Sequence, residues 1–227
     1  MSAAAPYTPP PMSSPLVTLD GVSVRRSGAL VLREIGLRIE PGEAVGLFGS
    51  NGSGKTTLLR VLATLLRPSS GMGTVLGARL ASSEVETIRP QIGLVAHEPA
   101  LAIHLTLAEN LHLVAALSGV PRSAADEALS DVGLSGASQR RVMHCSNGMR
   151  RRAEFARMLL IAPRLLLLDE AHVGLDPDAS KLVAHVTAEV TARGGAVVLV
   201  SHERERAISI IHRAVEIRNG SLIEATP

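Results

Sequence analysis

Residues 49–57 run Gly-Ser-Asn-Gly-Ser-Gly-Lys-Thr-Thr, matching G-x-x-x-x-G-K-[ST] at every fixed position. The residues before them, Glu43–Phe48, have the apolar character of a short buried strand. Those after, Thr56–Leu66, carry an apolar face at helical spacing. Strand, glycine loop and helix is the context in which this pattern holds phosphate. Gly49, Gly52 and Gly54 let the backbone curl until its N–H groups converge on phosphate oxygens. The helix N-terminus adds partial positive charge. Lys55 is expected to reach the β- and γ-phosphates, and Thr56 to offer its hydroxyl to Mg²⁺. Ser50, Asn51, Ser53 and Thr57 complete the set of candidate nucleotide contacts. Of 23 basic residues only Lys55 and Lys181 are lysine. A chain otherwise given to arginine keeps a compact ammonium where a planar guanidinium would not fit between phosphates.

A second chemical segment is Leu165-Leu-Leu-Leu-Asp-Glu170. Four apolar residues ending in two carboxylates suit a buried parallel strand with its acids at the C-terminal edge, where ligands of open α/β sheets bind. Asp169 is placed to hold Mg²⁺ directly or through water. Glu170 projects differently and can polarise an attacking water as a general base. Alone, a strand end with solvated acids explains the segment equally well; beside a phosphate loop the catalytic reading prevails.

At 227 residues the chain is expected to be one domain, or one domain with a subdomain. Its aromatics are only Tyr7, Phe48 and Phe155, so the core must be aliphatic. A formal charge of +2 and the lack of stacking platforms argue against nucleic acid as a partner. The single cysteine, Cys145, excludes an intrachain disulfide and fits a reducing compartment. No apolar run approaches transmembrane length. Residues 1–15 hold five prolines and no basic residue, which suggests a disordered tail rather than a signal peptide.

Residues 16–227 are expected to form the folded domain. Leu16–Val24 and Glu34–Ile39 alternate as antiparallel strands, with a turn at Pro41-Gly42. Short strands follow at Thr74–Leu76 and Ile92–Ala96. Helical patterns at Thr106–Ser118 and Ser123–Val132, with Asn147–Ile161 stopped by Pro163, mark a helical insertion over about 98–162. Strand Arg164–Leu168, helix Asp178–Ala192, strand Ala196–Val200 and helix Glu203–His212 restore the α/β alternation.

Four further segments now matter together. Cys145-Ser-Asn-Gly-Met-Arg-Arg-Arg152 lies between the two phosphate-site motifs; Leu94-Val-Ala-His-Glu98, Gly174-Leu-Asp-Pro177 and Val198-Leu-Val-Ser-His202 stand in order around it. This series resembles the nucleotide-binding domains of ATP-binding cassette (ABC) transporters over roughly Leu16–Leu222; other phosphate-loop ATPases lack it. The resemblance implies an α/β fold: a phosphate-loop core with a parallel sheet, a small antiparallel β subdomain and an inserted α-helical subdomain. It implies ATP and Mg²⁺ as ligands, with residues 49–57 binding ATP and Thr56 and Asp169 serving the metal. Ser146, Asn147 and Gly148 become the signature that meets a partner's ATP, His97 the Q-loop position, Asp176 the D-loop acid, and Glu170 with His202 the catalytic pair. Two copies, or two paired ATPase subunits, would pack head to tail with ATP sandwiched between phosphate loop and opposite signature. The implied partner is an integral-membrane permease, and the implied location the cytoplasmic face of the membrane as a peripheral subunit.

The signature also makes local sense. Ser146 is a good N-cap, and Gly148 leaves backbone free to approach a ligand. Arg150, Arg151 and Arg152 sit in the first turns, where the helix dipole disfavours cations. That clash is tolerable if the helix end faces an anion; at least one of the three is expected on a solvated face.

The chain departs from the family pattern at four places. His97 replaces glutamine, and a neutral imidazole can accept a hydrogen bond or bind metal. Asn147 replaces glycine and tolerates left-handed backbone. Arg25-Arg26 stands where an adenine-stacking aromatic is expected, and a guanidinium can stack on a base. Ala171-His172 replaces Pro-Thr, which nothing in the sequence explains. His97 with Glu98-Pro99-Ala100-Leu101 and Leu105–Leu111 resembles haem-exporter ATP-binding subunits of cytochrome c maturation, and related exporters of drugs, polysaccharide or lipid-linked glycans fit nearly as well. Leu101, Ile103, Leu105 and Leu107 are candidates either for a permease groove or for the core of the helical block. The competing function is a soluble or regulatory ABC-type ATPase not coupled to transport.

Overall fold

A computed structural model describes residues 14–170, 177–201 and 204–225. Most of the proline-rich segment lies outside them, as do Asp176, His202 and the Ala171-His172 pair. Antiparallel strands β1 (Val17–Arg26) and β2 (Ala29–Ile39) join β4 (Ser70–Val75) and β5 (Ala78–Arg79) in a sheet ordered β2-β1-β4-β5. The second sheet contains β3 (Ala44–Phe48), β6 (Ile92–Val95), β7 (Leu165–Asp169), β8 (Ala196–Val200), β9 (Arg213–Arg218) and β10 (Ser221–Ala225), ordered β10-β9-β3-β8-β7-β6. All its pairings are parallel except the β9–β10 hairpin. The helices are α1 (Lys55–Leu62), α2 (Val85–Ile88), α3 (Leu107–Ser118), α4 (Arg122–Asp131), α5 (Asn147–Ile161), α6 (Pro177–Ala192) and α7 (Arg204–Ile208).

The central strands are apolar on both faces because both faces are covered. Leu165, Leu167, Val198, Val200, Val45 and Leu47 pack with α1 and the antiparallel sheet. Leu166, Leu168, Val197, Leu199 and Ala44 pack with α5, α6 and the helical insertion. The period-two alternation along each strand therefore divides one leucine- and valine-rich sheet between two cores. In the insertion, α3 starts with a capping box: Thr106 Oγ1 accepts from Glu109 N at 3.1 Å, and Glu109 Oε2 accepts from Thr106 N at 2.7 Å.

Three expectations shift. The helix after the phosphate loop stops at Leu62 rather than Leu66, because Thr64 takes left-handed backbone with φ 58. The Arg89 guanidinium holds that turn by donating to Thr64 Oγ1 and Thr64 O, each at 3.2 Å. The final expected helix, Glu203–His212, contracts to α7. His212 is instead drawn to the sheet: its N–H donates to Ala44 O and its Nδ1 accepts from Ala44 N, both at 2.8 Å. Pairing with β3 outweighs helical propensity there. The strands β9 and β10 were not foreseen, although Asn219-Gly220 is a strong hairpin signal. Both residues have positive φ, 52 and 83, as a two-residue turn of this hand requires.

Phe155 is fully buried in the core on the α5 side. Phe155→Ala should destabilise the fold by roughly 3–5 kcal/mol. Urea unfolding measures this, and a loss under about 1 kcal/mol would show that the site collapses around the smaller side chain.

Candidate functional site

Parallel pairing decides the site before any side chain is placed. Strands β3, β6, β7 and β8 run the same way, with Val95 beside Leu168, Asp169 beside Val200, and Leu47 beside Val200. Their C-terminal ends therefore share one edge. Segments far apart in the chain arrive there together: the loop after Phe48, the turn at Ala96–His97, Asp169-Glu170, and Ser201.

In the loop, Gly49 has φ 143 and Gly54 φ 113. A Cβ on Gly49 would stand 2.6 Å from Ser53 Oγ and 2.7 Å from Ile217 O, and one on Gly54 would stand 2.8 Å from Leu32 Cδ2. The loop is thus pressed against β9 and β2 as tightly as backbone allows. Gly52, with φ 78, has open space around it. Gly54 caps α1 without a side chain, so the first N–H groups of α1 carry no side-chain partner there.

Lys55 is buried, and its Nζ donates to Gly49 O and Ser50 O, each at 2.9 Å. The ammonium has three donors, so one remains beyond these two. Thr56 Oγ1 donates to Asp169 Oδ2 at 3.0 Å across 113 residues of sequence. Asp169 is buried at the end of β7. The next residue, Glu170, adopts φ 53, an unusual conformation for a residue with a Cβ. Its N–H is tied to Val200 O at 3.1 Å. Strain of this kind persists where surrounding structure enforces it, and here strand pairing does so.

Beside Thr56 lies a cavity of about 500 Å³ lined by Thr56, Leu59, Arg60, Leu94, Ala96, His97, Glu98 and Asp169. The Q-loop position, the α1 hydroxyl and the β7 carboxylate thus share one space. The residues present fit a Mg²⁺–triphosphate. Ser53 Oγ is buried inside the loop without a hydrogen-bond partner, Lys55 offers its remaining donor, and Thr56 with Asp169 supplies adjacent hard oxygen ligands.

The signature residues do not join this site. Ser146 caps α5, its hydroxyl accepting from Met149 N at 3.2 Å. Ser146 and Asn147 are exposed, and neither lines the cavity. Asn147 is helical, so its tolerance of left-handed backbone is not used. A Cβ on Gly148 would meet only Ser146 Oγ, at 3.9 Å. Nothing inside the chain requires glycine there. Cys145 is buried beside them; burial pushes its thiol up, and its Sγ donates to Arg141 O at 3.4 Å.

The three arginines that follow are not aimed as expected. Arg150 donates to Val142 O and Met143 O at 3.1 and 3.3 Å, and Arg152 to Val132 O at 3.3 Å. Arg151 is buried, and donates to Ala96 O at 2.6 Å and His97 O at 3.1 Å. Carbonyls of the same chain satisfy all three, so none is a bare cation presented by the helix end. Sequence reasoning missed this link from the signature helix to the His97 turn. Its signal was a second charge, Glu154, among the apolar residues Ala153, Phe155 and Ala156. Of the apolar quartet after the Q-loop, Leu107 packs in the core, as the packing reading expects, and Ile103 is exposed.

A parallel sheet whose first loop is a glycine-rich phosphate cradle, with a threonine–aspartate pair across it, defines a phosphate-loop nucleoside triphosphatase. The family model for ABC transporters matches residues 32–173. The chain is 34% identical to the lipoprotein-releasing system ATP-binding protein LolD of Nitratidesulfovibrio vulgaris, covering 93% of this chain and 96% of that one. It is 36% identical to the cytochrome c biogenesis ATP-binding export protein CcmA of Gluconobacter oxydans, over 89% and 88% of the two chains. A solved ATP-binding subunit of an ABC transporter superposes with TM-score 0.85 at 28% identity, covering 93% of this chain and 90% of that one. This chain belongs to the ABC transporter ATP-binding family. Its fold is the ABC ATPase fold, and it is an ATPase.

Gly49→Ala should weaken ATP binding by about tenfold or more, since φ 143 and two contacts under 3 Å forbid the added methyl. Isothermal calorimetry checks this; unchanged affinity would mean the loop geometry does not set binding.

Proposed function

We propose that this chain is a peripheral subunit on the cytoplasmic face of the membrane, using ATP with Mg²⁺ to drive a separate integral-membrane permease. The observation that carries the reading is the convergence of Lys55, the Thr56–Asp169 pair and Glu170 at one sheet edge. ABC ATP-binding subunits generally pair with permeases and dimerise; among the described residues no helix is long and apolar enough to cross a membrane.

In the proposed mechanism, the backbone of residues 49–57 wraps the phosphates and Lys55 lies along the β- and γ-oxygens. Thr56 and Asp169 would hold Mg²⁺, which would supply positive charge against the oxygens of the transferred phosphate. Glu170 takes the proton of the attacking water. His202 and Asp176, both outside the described residues, hold the γ-phosphate and report across the dimer. Ser146, Asn147 and Gly148 close over ATP held by the second subunit of a homodimer or a paired ATPase. That role suits a signature which is exposed, does not line its own chain's cavity, and leaves open space at Gly148. Hydrolysis removes the γ-phosphate contacts and opens the pair.

Export is the direction we favour, with haem for cytochrome c biogenesis as cargo. Support comes from the His97–Leu101 and Leu105–Leu111 segments and from the 36% identity to CcmA. Relatives also include a macrolide export protein of Azoarcus and a methionine import protein of Halalkalibacterium halodurans. Arg25 and Arg26 are exposed at the end of β1 and are proposed to stack on the base in place of an aromatic. The alternative is a soluble or regulatory ATPase, and the His97 and Asn147 departures are what favour it.

Glu170→Gln should lower turnover by at least ~100-fold while ATP affinity stays and a closed dimer accumulates on size-exclusion chromatography. Rapid hydrolysis by this variant would remove Glu170 from the base role. Affinity purification of tagged protein from its own membranes should recover a polytopic partner. Recovery from the soluble fraction alone would favour the uncoupled reading.

A further inference from the structure

Helix α5 carries the signature at its N-terminus and three charged side chains along one face, and these grip successive backbone groups of residues 94–100. Arg157 donates to Leu94 O at 3.2 Å, and Arg151 donates to Ala96 O and His97 O at 2.6 and 3.1 Å. The Ala100 N–H faces the Glu154 carboxyl and favours its charged form. Glu154 is fully buried and lies 3.3 Å from the Arg157 guanidinium, whose side chain is 19% exposed. Burial pushes the Glu154 carboxyl up, against the pull of Arg157, the Ala100 N–H and Arg151. Burial likewise draws Arg151 down, against the pull of Glu154.

A buried, mutually paired set of this kind is a costly way merely to fill space, because apolar residues of similar size often do as well. What it provides is direction: planar guanidinium forks fix carbonyls in place, which apolar packing cannot. The set is also incompletely satisfied. Glu154 Oε1 and Arg157 Nε are buried without hydrogen bonds.

We propose that Arg151, Glu154 and Arg157 are positioning residues that couple the signature to the catalytic cavity. By clamping residues 94–100 to α5, they make the His97 turn follow the helix when Ser146–Gly148 seat on a partner's nucleotide. His97 lines the cavity with Thr56 and Asp169, so closure of the dimer sets the place of His97 in the site. The clamp rests on the ATPase reading with a signature acting in trans, and it acts through His97 without touching substrate.

The test is a double-mutant cycle on ATP hydrolysis by the purified protein, with ATP affinity measured separately. Arg151→Met should keep ATP affinity within about twofold yet lower kcat by roughly tenfold, because the cost falls on geometry rather than ground-state binding. Arg151→Lys should recover part of the loss. In a His97→Ala background, which itself lowers kcat, the Arg151→Met penalty should vanish; independent contributions would instead multiply. Should Arg151→Met fail to fold by circular dichroism, the isosteric Glu154→Gln carries the same cycle. An unchanged penalty in the His97→Ala background, wild-type kcat in a folded clamp variant, or wild-type kcat in His97→Ala alone would overturn the proposal. Absence of hydrolysis by the unmodified protein and its permease would instead strike the ATPase reading beneath it.

Discussion

The site depends on parallel hydrogen bonding between β3, β8, β7 and β6. Each of these strands is five residues or fewer and carries little information alone. Paired in parallel, they align their carboxyl ends, so the phosphate loop, the Asp169-Glu170 turn and the His97 turn are brought to one edge by strand pairing. Parallel sheets require covered faces, and the leucine–valine alternation supplies two cores for that purpose. Aliphatic residues suffice because β-branched and leucine side chains interlock across short strands. The aromatic exceptions are Phe155, set where α5 meets the core, and Phe48 at the end of β3.

The phosphate loop was legible because its chemistry is local. Glycine spacing, one lysine and one threonine act within nine residues, and the flanking strand and helix belong to the same stretch. Asp169 was legible for a related reason: four leucines ending in an acid can only be a strand edge if the strand is buried. The Thr56–Asp169 bond spans 113 residues, yet both partners were named, since each sits at a place the local pattern defines. Strand β9 was not legible in the same way. It pairs with β3 and leads into a hairpin, and the apolar residues before it, Ile208 and Ile210-Ile211, carry a helical pattern equally well. His212 decided the matter through contacts with Ala44, 168 residues away.

The arginines after the signature show a different limit. Their sequence position suggested an electrostatic role, because cations at a helix N-terminus are unfavourable unless an anion faces them. Backbone carbonyls answer the same need. Val142, Met143, Val132, Ala96 and His97 each supply an oxygen with partial negative charge, and five donors in a rigid fork can collect two of them at once. No pattern of neighbouring residues distinguishes an arginine bound to carbonyls from one bound to phosphate. Only the return of the chain through 94–100 against α5 does.

That return explains why a carboxylate sits in the interior of α5. A helix face that meets only side chains is best apolar. Here the face meets a segment that leaves β6 and turns without regular structure, so the Ala96 and His97 carbonyls lie outside strand pairing. Arginine supplies partners for such groups, Arg151 serving Ala96 O and His97 O. Glu154 then balances the cations on either side, lying 3.3 Å from the Arg157 guanidinium and drawn by Arg151. Charge placement in α5 thus follows from the irregularity of the turn that carries His97, at the sheet edge that holds the Thr56–Asp169 pair.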